Sequence, residues 1–136
     1  MVAGSQGVGD RPLVLVVDDD QVICELLKLH LVNAGYRVLT AGDGISGGHL
    51  ILNGRPDLVI VDVDMPYMGG YELVEAVKAD ATTSHVPVIF LSSREDVGER
   101  SAKLGAEAYL KKPIKADSLL EVVALYSPSV PPSRSS

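Results

Sequence analysis

The 136-residue chain has one cysteine, no tryptophan and no long hydrophobic run. A single cysteine cannot form an internal disulfide or a cysteine metal cluster. The apolar runs are four or five residues long, whereas a membrane-spanning helix needs about 20 apolar residues. The first ten residues are polar and glycine-rich, without the apolar segment of a secretory signal. These absences predict a soluble, cytoplasmic protein with no membrane segment.

Basic residues are also in the minority, with 12 Lys and Arg against 18 Asp and Glu and a net charge of −6. Because nucleic-acid affinity depends mainly on basic surface, we expect no direct binding of DNA or RNA by this domain. The 46% of hydrophobic residues argues against disorder, and the length suits one core. We predict a flexible leader at residues 1–10, a folded domain at 11–126, and a disordered tail or linker at 127–136.

Short apolar segments alternate with stretches of helical spacing along the chain. This alternation predicts an α/β fold in which a five-stranded parallel sheet carries helices on both faces. The second helix, Ile45–Asn53, contains Gly47 and Gly48, and each internal glycine costs about 1 kcal/mol relative to alanine. We therefore expect that helix to be short or frayed. The first helix is expected to bury an apolar stripe made of Val22, Ile23, Leu26, Leu27, Leu29 and Val32. The predicted strands are Leu13–Val17, Arg37–Ala41, Leu58–Val61, Val88–Leu91 and Ala108–Lys111.

Three aspartates stand at the ends of two of these strands: Asp18 and Asp19 after the first, and Asp62 after the third. In open α/β sheets, ligands bind beyond the carboxyl ends of the strands. Clustered carboxylates repel each other, and a divalent cation is the commonest reason for a fold to keep them together. Mg²⁺ prefers such oxygen ligands. An aspartate can also simply cap a helix, but that explains one of the three better than all of them.

The ends of the fourth and fifth strands carry groups that suit a phosphoryl group. A carboxylate that attacks phosphorus needs a cation to offset the repulsion between two anions. Asp62 is thus a candidate nucleophile, with Asp18 and Asp19 as candidate metal ligands. The Ser92 hydroxyl can donate a hydrogen bond to a phosphoryl oxygen, and Lys112 offers a fixed positive charge. The four strand ends together predict an aspartate that accepts a phosphoryl group.

Four segments, in this order and at these spacings, resemble the receiver domains of two-component response regulators, including chemotaxis-regulator-like ones. They are VVDD at 16–19, DLVIVDVDMP at 57–66, PVIFLSS at 87–93 and GAEAYLKKP at 105–113. The resemblance covers about residues 11–126 and implies a doubly wound, flavodoxin-like sheet of strand order 2-1-3-4-5. It implies a signalling switch that a histidine kinase or phosphotransfer protein phosphorylates with Mg²⁺ (or Mn²⁺ in its place), and that a downstream effector protein or domain reads. It leaves open whether phosphorylation also produces a homodimer.

The resemblance assigns a role to each residue of the site. Asp62 would be the phosphorylated aspartate. Asp19 would bind Mg²⁺ directly, Asp18 would act through water, and the backbone carbonyl of Asp64 would be a further ligand. Lys112 would pair with Asp62 before the reaction and with the phosphoryl group afterwards.

The same resemblance implies how the domain switches. The Ser92 hydroxyl would move toward the phosphoryl group, and the ring of Tyr109 would then turn inward. The surface formed by helix 4, strand 5 and helix 5 would change as a result. The Lys112–Pro113 peptide bond would be cis. The domain would catalyse its own phosphorylation and dephosphorylation without being an enzyme that acts on a separate substrate.

Two other functions are compatible with parts of the pattern. Asp62 and Asp64 resemble the nucleophile and acid of haloacid-dehalogenase-type Mg²⁺ phosphatases, although those have their nucleophile on the first strand. A degenerate receiver used only for binding would not need the intact set of Asp19, Asp62, Ser92 and Lys112.

Two residues are candidates for the mouth of the site. Asp64 lies two residues after Asp62, and Arg94 lies two residues after Ser92, so their side chains can pair across the opening. Such a pair would hinder the water that hydrolyses the aspartyl phosphate. The alternative is that both side chains point separately into solvent.

Overall fold

The computed structural model describes residues 11–65, 68–93, 95 and 97–130. All five predicted strands are confirmed, and β3 and β4 each extend one residue further, to Asp62 and Ser92. The elements are β1 Leu13–Val17, α1 Gln21–Asn33, β2 Arg37–Ala41, α2 Gly44–Gly54, β3 Leu58–Asp62, α3 Gly70–Ala79, β4 Val88–Ser92, α4 Val97–Lys103, β5 Ala108–Lys111 and α5 Ala116–Tyr126. None of the helices in these ranges is both long and apolar enough to cross a membrane.

The strands form one parallel sheet in the predicted order β2-β1-β3-β4-β5. Val17 at the end of β1 pairs with Val61 of β3, so the residues that follow both strands lie at the same edge. Ser92 at the end of β4 pairs with Lys111 of β5. The carboxyl ends of β1, β3, β4 and β5 therefore meet at this edge.

Each face of the sheet has its own hydrophobic core. Successive residues of a strand point to opposite faces, so Leu15 and Val17 pack toward α2 and α3, whereas Val14 and Val16 pack toward α1 and α5. All four side chains are fully buried. Burial on both faces explains why the strands are continuous hydrophobic runs without polar alternation.

The predicted apolar stripe of α1 is largely wrong. Cys24, Leu27 and Leu31 are the buried residues of this helix, at spacings of three and four. Apolar residues occupy more than one side of α1, so periodicity alone did not identify the side that faces the sheet. The exposed members of the predicted stripe are Val22, Leu26, Leu29 and Val32.

The expectation that α2 is short or frayed is also wrong, because the helix runs for 11 residues. Asp43 caps its first turn by accepting a hydrogen bond from the backbone N–H of Ser46 at 2.7 Å. Gly47 is buried against β1, where a Cβ would lie 3.0 Å from Cγ2 of Val17. Close packing on the sheet thus offsets the low helix propensity of this glycine.

A residue that follows α5 contacts the domain core. Val130 packs against the core on the α1 and α5 face of the sheet. Its side chain lies close to Gly35, where a Cβ would be 2.7 Å from Cγ1 of Val130. Gly35 has a φ of +103°, a backbone conformation that favours glycine. The domain limits at residues 11 and 126 stay predictions, and residues 1–10 and 131–136 lie outside the described ranges.

Candidate functional site

Three carboxylates meet at the edge of the sheet where β1 and β3 end. Oxygen atoms of Asp18, Asp19 and Asp62 all lie within 4.8 Å of one another. Asp18 and Asp62 are buried, with 1% and 3% of their surface exposed, whereas Asp19 is exposed. A set of oxygen donors with one side open to solvent suits Mg²⁺, which keeps some of its water when bound. The residues therefore fit the cation that the sequence predicted.

Lys112 extends from the end of β5 into the same cluster. Its Nζ lies 3.2 Å from Oδ1 of Asp62 and 3.2 Å from Oδ2 of Asp18. Its backbone N–H donates to the carbonyl of Ser92 at 2.9 Å, and the Lys112–Pro113 peptide bond is cis, as predicted. The sequence predicted the contact with Asp62 but not the one with Asp18. The predicted pairing of β1 with β3 could have indicated the Lys112–Asp18 contact, because it places Asp18 beside Asp62.

The charges of the cluster are not balanced. Burial and, to a smaller extent, the charge of Asp18 raise the pKa of Asp62 to about 6, against the lowering effects of Lys112 and the backbone N–H of Asp64. Burial also raises the pKa of Asp18, even though its carboxylate accepts from the N–H of Asp20 at 2.9 Å. Among the described residues, Lys112 is the cation in contact with these carboxylates. The site can therefore accept more positive charge.

The two predicted switch residues lie on neighbouring strands. Ser92 is fully buried at the end of β4. Tyr109 lies on β5 beside Phe90 of β4, and 45% of its surface is exposed. Its ring rests against Gly98 of α4, where a Cβ would lie 2.9 Å from Cε1 of the ring. The contact between Gly98 and the Tyr109 ring was not predicted from the sequence. A glycine inside a short helix could have indicated it, because such a glycine often leaves space for a neighbouring side chain.

The predicted mouth of the site is described in part. The side chain of Asp64 is exposed, and its backbone N–H donates to the Asp62 carboxylate. Arg94 lies outside the described residues, so the Asp64–Arg94 pair stays a prediction. Gly70 begins α3 directly behind the site, and a Cβ there would overlap the backbone carbonyl of Asp62. This close approach was not predicted from the sequence.

Cys24 lies on α1 behind the acidic cluster. Its thiol donates to the backbone carbonyl of Asp18 at 3.2 Å. Burial, together with the charge of Asp18, raises its pKa to about 11. Because the thiolate is the reactive form, this cysteine is an inert part of the support for Asp18.

Comparisons with known proteins agree with this geometry. The family model of the response regulator receiver domain matches residues 14–124. The response regulator MprA of Mycobacterium sp. (strain KMS) is 41% identical over 109 residues, which are 79% of this chain and 46% of that protein. The chain thus spans about half the length of this curated relative.

Solved structures give the same result. The chemotaxis protein CheY4 of Vibrio cholerae has a TM-score of 0.80 at 31% identity, over 85% of this chain and 98% of that one. The receiver domain of the sensor histidine kinase PA1611 from Pseudomonas aeruginosa has a TM-score of 0.78 at 26% identity, over 85% and 97% of the two chains. That structure has a magnesium ion coordinated in its active-site cleft. This chain therefore belongs to the receiver domains of two-component response regulators.

Proposed function

We propose that Asp62 accepts a phosphoryl group from a histidine kinase or phosphotransfer protein. The observation that carries this proposal is the placement of the buried Asp62 carboxylate beside Asp18 and Asp19 and 3.2 Å from the Lys112 ammonium. A buried anion with a fixed cation beside it, at the open edge of the sheet, is arranged for phosphoryl chemistry.

The chemical step needs little movement of the protein. An Oδ of Asp62 attacks phosphorus and forms the new P–O bond, while the bond between phosphorus and the donor's imidazole nitrogen breaks. The bonding electrons stay on that nitrogen, so the donor histidine leaves as neutral imidazole when its other ring nitrogen carries a proton, and otherwise becomes neutral by taking a proton from solvent. Mg²⁺, bound by Asp19, Asp62 and the Asp64 carbonyl with Asp18 acting through water, would offset the repulsion between the two anions. Mn²⁺ would serve in its place.

Two side chains then stabilise the product. Lys112 already contacts Asp62, so its ammonium can follow the negative charge to the phosphoryl oxygens. The Ser92 hydroxyl lies at the end of the adjacent strand and donates to one of these oxygens. Its movement frees the space into which the Tyr109 ring turns, and the surface of α4, β5 and α5 changes.

The partners follow from this switch. A kinase or phosphotransfer protein must present its phosphohistidine at the edge where β1 and β3 end. An effector protein or domain must distinguish the two forms of the surface made by α4, β5 and α5. The same chemistry lets the domain catalyse its own dephosphorylation, with water attacking the aspartyl phosphate.

Acetyl phosphate with Mg²⁺ tests the proposal. Intact-mass spectrometry should show one added phosphoryl group on the wild-type chain and none on Asp62→Asn or in excess EDTA. Asp117→Asn, which changes an exposed aspartate of α5, is the matched control and should be labelled normally. Labelling of Asp62→Asn at the wild-type rate would refute the assignment.

The same preparation separates the alternatives. A haloacid-dehalogenase-type phosphatase would hydrolyse a phosphate ester such as p-nitrophenyl phosphate over many turnovers. A degenerate receiver would neither become labelled nor bind Mg²⁺. We expect stoichiometric labelling without ester turnover.

A further inference from the structure

The ring of Tyr109 fits against α4 because residue 98 has no side chain. A Cβ at Gly98 would lie 2.9 Å from Cε1, 3.0 Å from Cζ and 3.1 Å from Oη of this ring. Real Cβ atoms essentially never approach another heavy atom closer than 3.0 Å. Glycine also has a lower intrinsic helix propensity than alanine, so α4 loses propensity in leaving this space for the ring.

The ring is the part of this contact that can move. Its atoms lie at the far end of a side chain that rotates about its Cα–Cβ bond. The helix also has a contact on its other side, because the Arg100 guanidinium of α4 lies 4.3 Å from the centre of the Tyr71 ring. Tyr71 in turn packs edge-on against Phe90 of the central sheet, with ring centres 5.0 Å apart. A side chain larger than hydrogen at position 98 should therefore displace the ring and leave α4 in place.

A cavity beside the ring provides space for another orientation. It has a volume of about 290 Å³ and is lined by small residues of α4, by Ala106 and Glu107 of the loop before β5, and by Ala108 and the Tyr109 ring of β5. Ser101, three residues after Gly98 and so on the same side of α4, also lines it. The Ser101 hydroxyl is buried and has no hydrogen-bond partner within the described part of the chain.

We propose that Gly98 is a positioning residue that sets the solvent-facing orientation of Tyr109 as the resting one and thereby slows phosphorylation of Asp62. The inference rests on the proposed function, because Tyr109 and the site must be coupled for its position to matter. If the conformation that accepts the phosphoryl group has the ring turned inward, then raising the population of that conformation before the reaction raises the labelling rate in proportion.

Gly98→Ala tests the inference in the full chain. Fluorotyrosine incorporated at the five tyrosines reports the ring position by ¹⁹F NMR, with the Tyr109 signal assigned by its loss in Tyr109→Phe. In the unphosphorylated variant this signal should shift toward the position that the wild type reaches with beryllofluoride and Mg²⁺. The rate of labelling by acetyl phosphate should rise roughly 5-fold if the population of the inward orientation rises by the same factor.

Two controls separate the ring from the helix. In a Tyr109→Ala background there is no ring to displace, so adding Gly98→Ala should leave the labelling rate unchanged. An equal acceleration in that background would overturn the inference, because it would show that helix stability is the cause. Gly48→Ala changes a helical glycine of α2 whose Cβ would meet Leu73 at 3.7 Å, and should not affect labelling.

The outcomes also distinguish this inference from the proposed function. Failure of the wild type to become labelled would refute the proposed function. Normal labelling of the wild type, with an unmoved Tyr109 signal and an unchanged rate in Gly98→Ala, would overturn the role of Gly98 alone. If Gly98→Ala does not fold, Gly98→Ala/Tyr109→Ala should restore folding by relieving the contact. Failure to restore it would likewise overturn the inference.

Discussion

Asp62 is proposed to be essential for function, yet its charge should make the Mg²⁺-free domain less stable. It lies in a cluster of three carboxylates that one ammonium contacts among the described residues. Asp62→Asn keeps the size of the side chain and removes its negative charge. We therefore expect this inactive variant to unfold at higher denaturant concentration than the wild type in Mg²⁺-free buffer at neutral pH.

The magnitude follows from the distances. Carboxylate oxygens lie within 4.8 Å of one another, and the Lys112 ammonium lies 3.2 Å from Asp62. At an effective dielectric constant of ~20, the repulsion of Asp62 by each of the other two carboxylates costs about 3–4 kcal/mol, and its attraction to the Lys112 ammonium contributes about 5 kcal/mol. Solvent screens the exposed Asp19, which reduces its repulsion of Asp62. Burial adds a further free-energy cost to the charged form of Asp62. The rise of the Asp62 pKa from 3.8 to about 6 corresponds to roughly 3 kcal/mol. The two repulsions less the attraction leave about 1–3 kcal/mol, and the pKa corresponds to roughly 3 kcal/mol, so we expect Asp62→Asn to gain about 1–3 kcal/mol of stability.

Urea unfolding followed by circular dichroism measures this gain. Added Mg²⁺ should stabilise the wild type by mass action, because it binds the folded cluster better than the unfolded chain. Asp62→Asn should respond less to Mg²⁺, so the two proteins should converge in stability as Mg²⁺ rises. Glu121→Gln, a change of charge at an exposed position of α5, is the control and should alter stability by no more than about 0.5 kcal/mol.

The reasoning fails if Asp62→Asn is as stable as the wild type, or less stable, in Mg²⁺-free buffer. That result would mean that Lys112 fully compensates the cluster. An equal response of both proteins to Mg²⁺ would instead show that Asp62 is not a ligand of the cation.

Three further predictions concern packing and reactivity. Gly47→Ala should lower stability by about 1 kcal/mol, because overpacking against Val17 costs roughly 1–3 kcal/mol. Gly48→Ala has room for its methyl group and should raise stability by up to about 1 kcal/mol. Urea unfolding of the two variants should therefore show unfolding free energies that change in opposite directions. Ser101→Ala should raise the unfolding free energy by about 1 kcal/mol, because a buried hydroxyl without a hydrogen-bond partner costs roughly 1–3 kcal/mol. A lower unfolding free energy would instead indicate a partner outside the described residues. Cys24 is buried with a pKa of about 11, so iodoacetamide should modify it no faster than the domain unfolds. Mass spectrometry measures the alkylation, and rapid modification of the native protein would contradict the conclusion that this thiol is inert.

The sequence by itself determined the strands and the composition of the site. A strand of a parallel sheet is buried on both faces, so it is visible as an uninterrupted apolar run such as Leu13–Val17. The residue that ends the run is then placed at the carboxyl edge of the sheet. Asp18, Asp62, Ser92 and Lys112 could be found for that reason, because each stands directly at the end of a local pattern.

The tertiary structure decided which side of each helix is buried and how the site residues contact one another. Two sides of α1 are apolar, and only packing on the sheet selects the one with Cys24, Leu27 and Leu31. Gly47 is unfavourable in an isolated helix but suits one packed against Val17. These outcomes depend on residues far apart in the chain, and local propensity carries no information about them.

The same holds for the charges and the switch. Lys112 contacts both Asp18 and Asp62 because β1 and β3 are neighbours and its long side chain reaches them from the end of β5, across the end of β4. The outward position of Tyr109 depends on the missing side chain of Gly98 on a different element. A sequence motif states which groups are present at the site. The pKa of Asp62 depends on its burial and on the nearby charge of Asp18, and the space beside α4 determines where the Tyr109 ring rests.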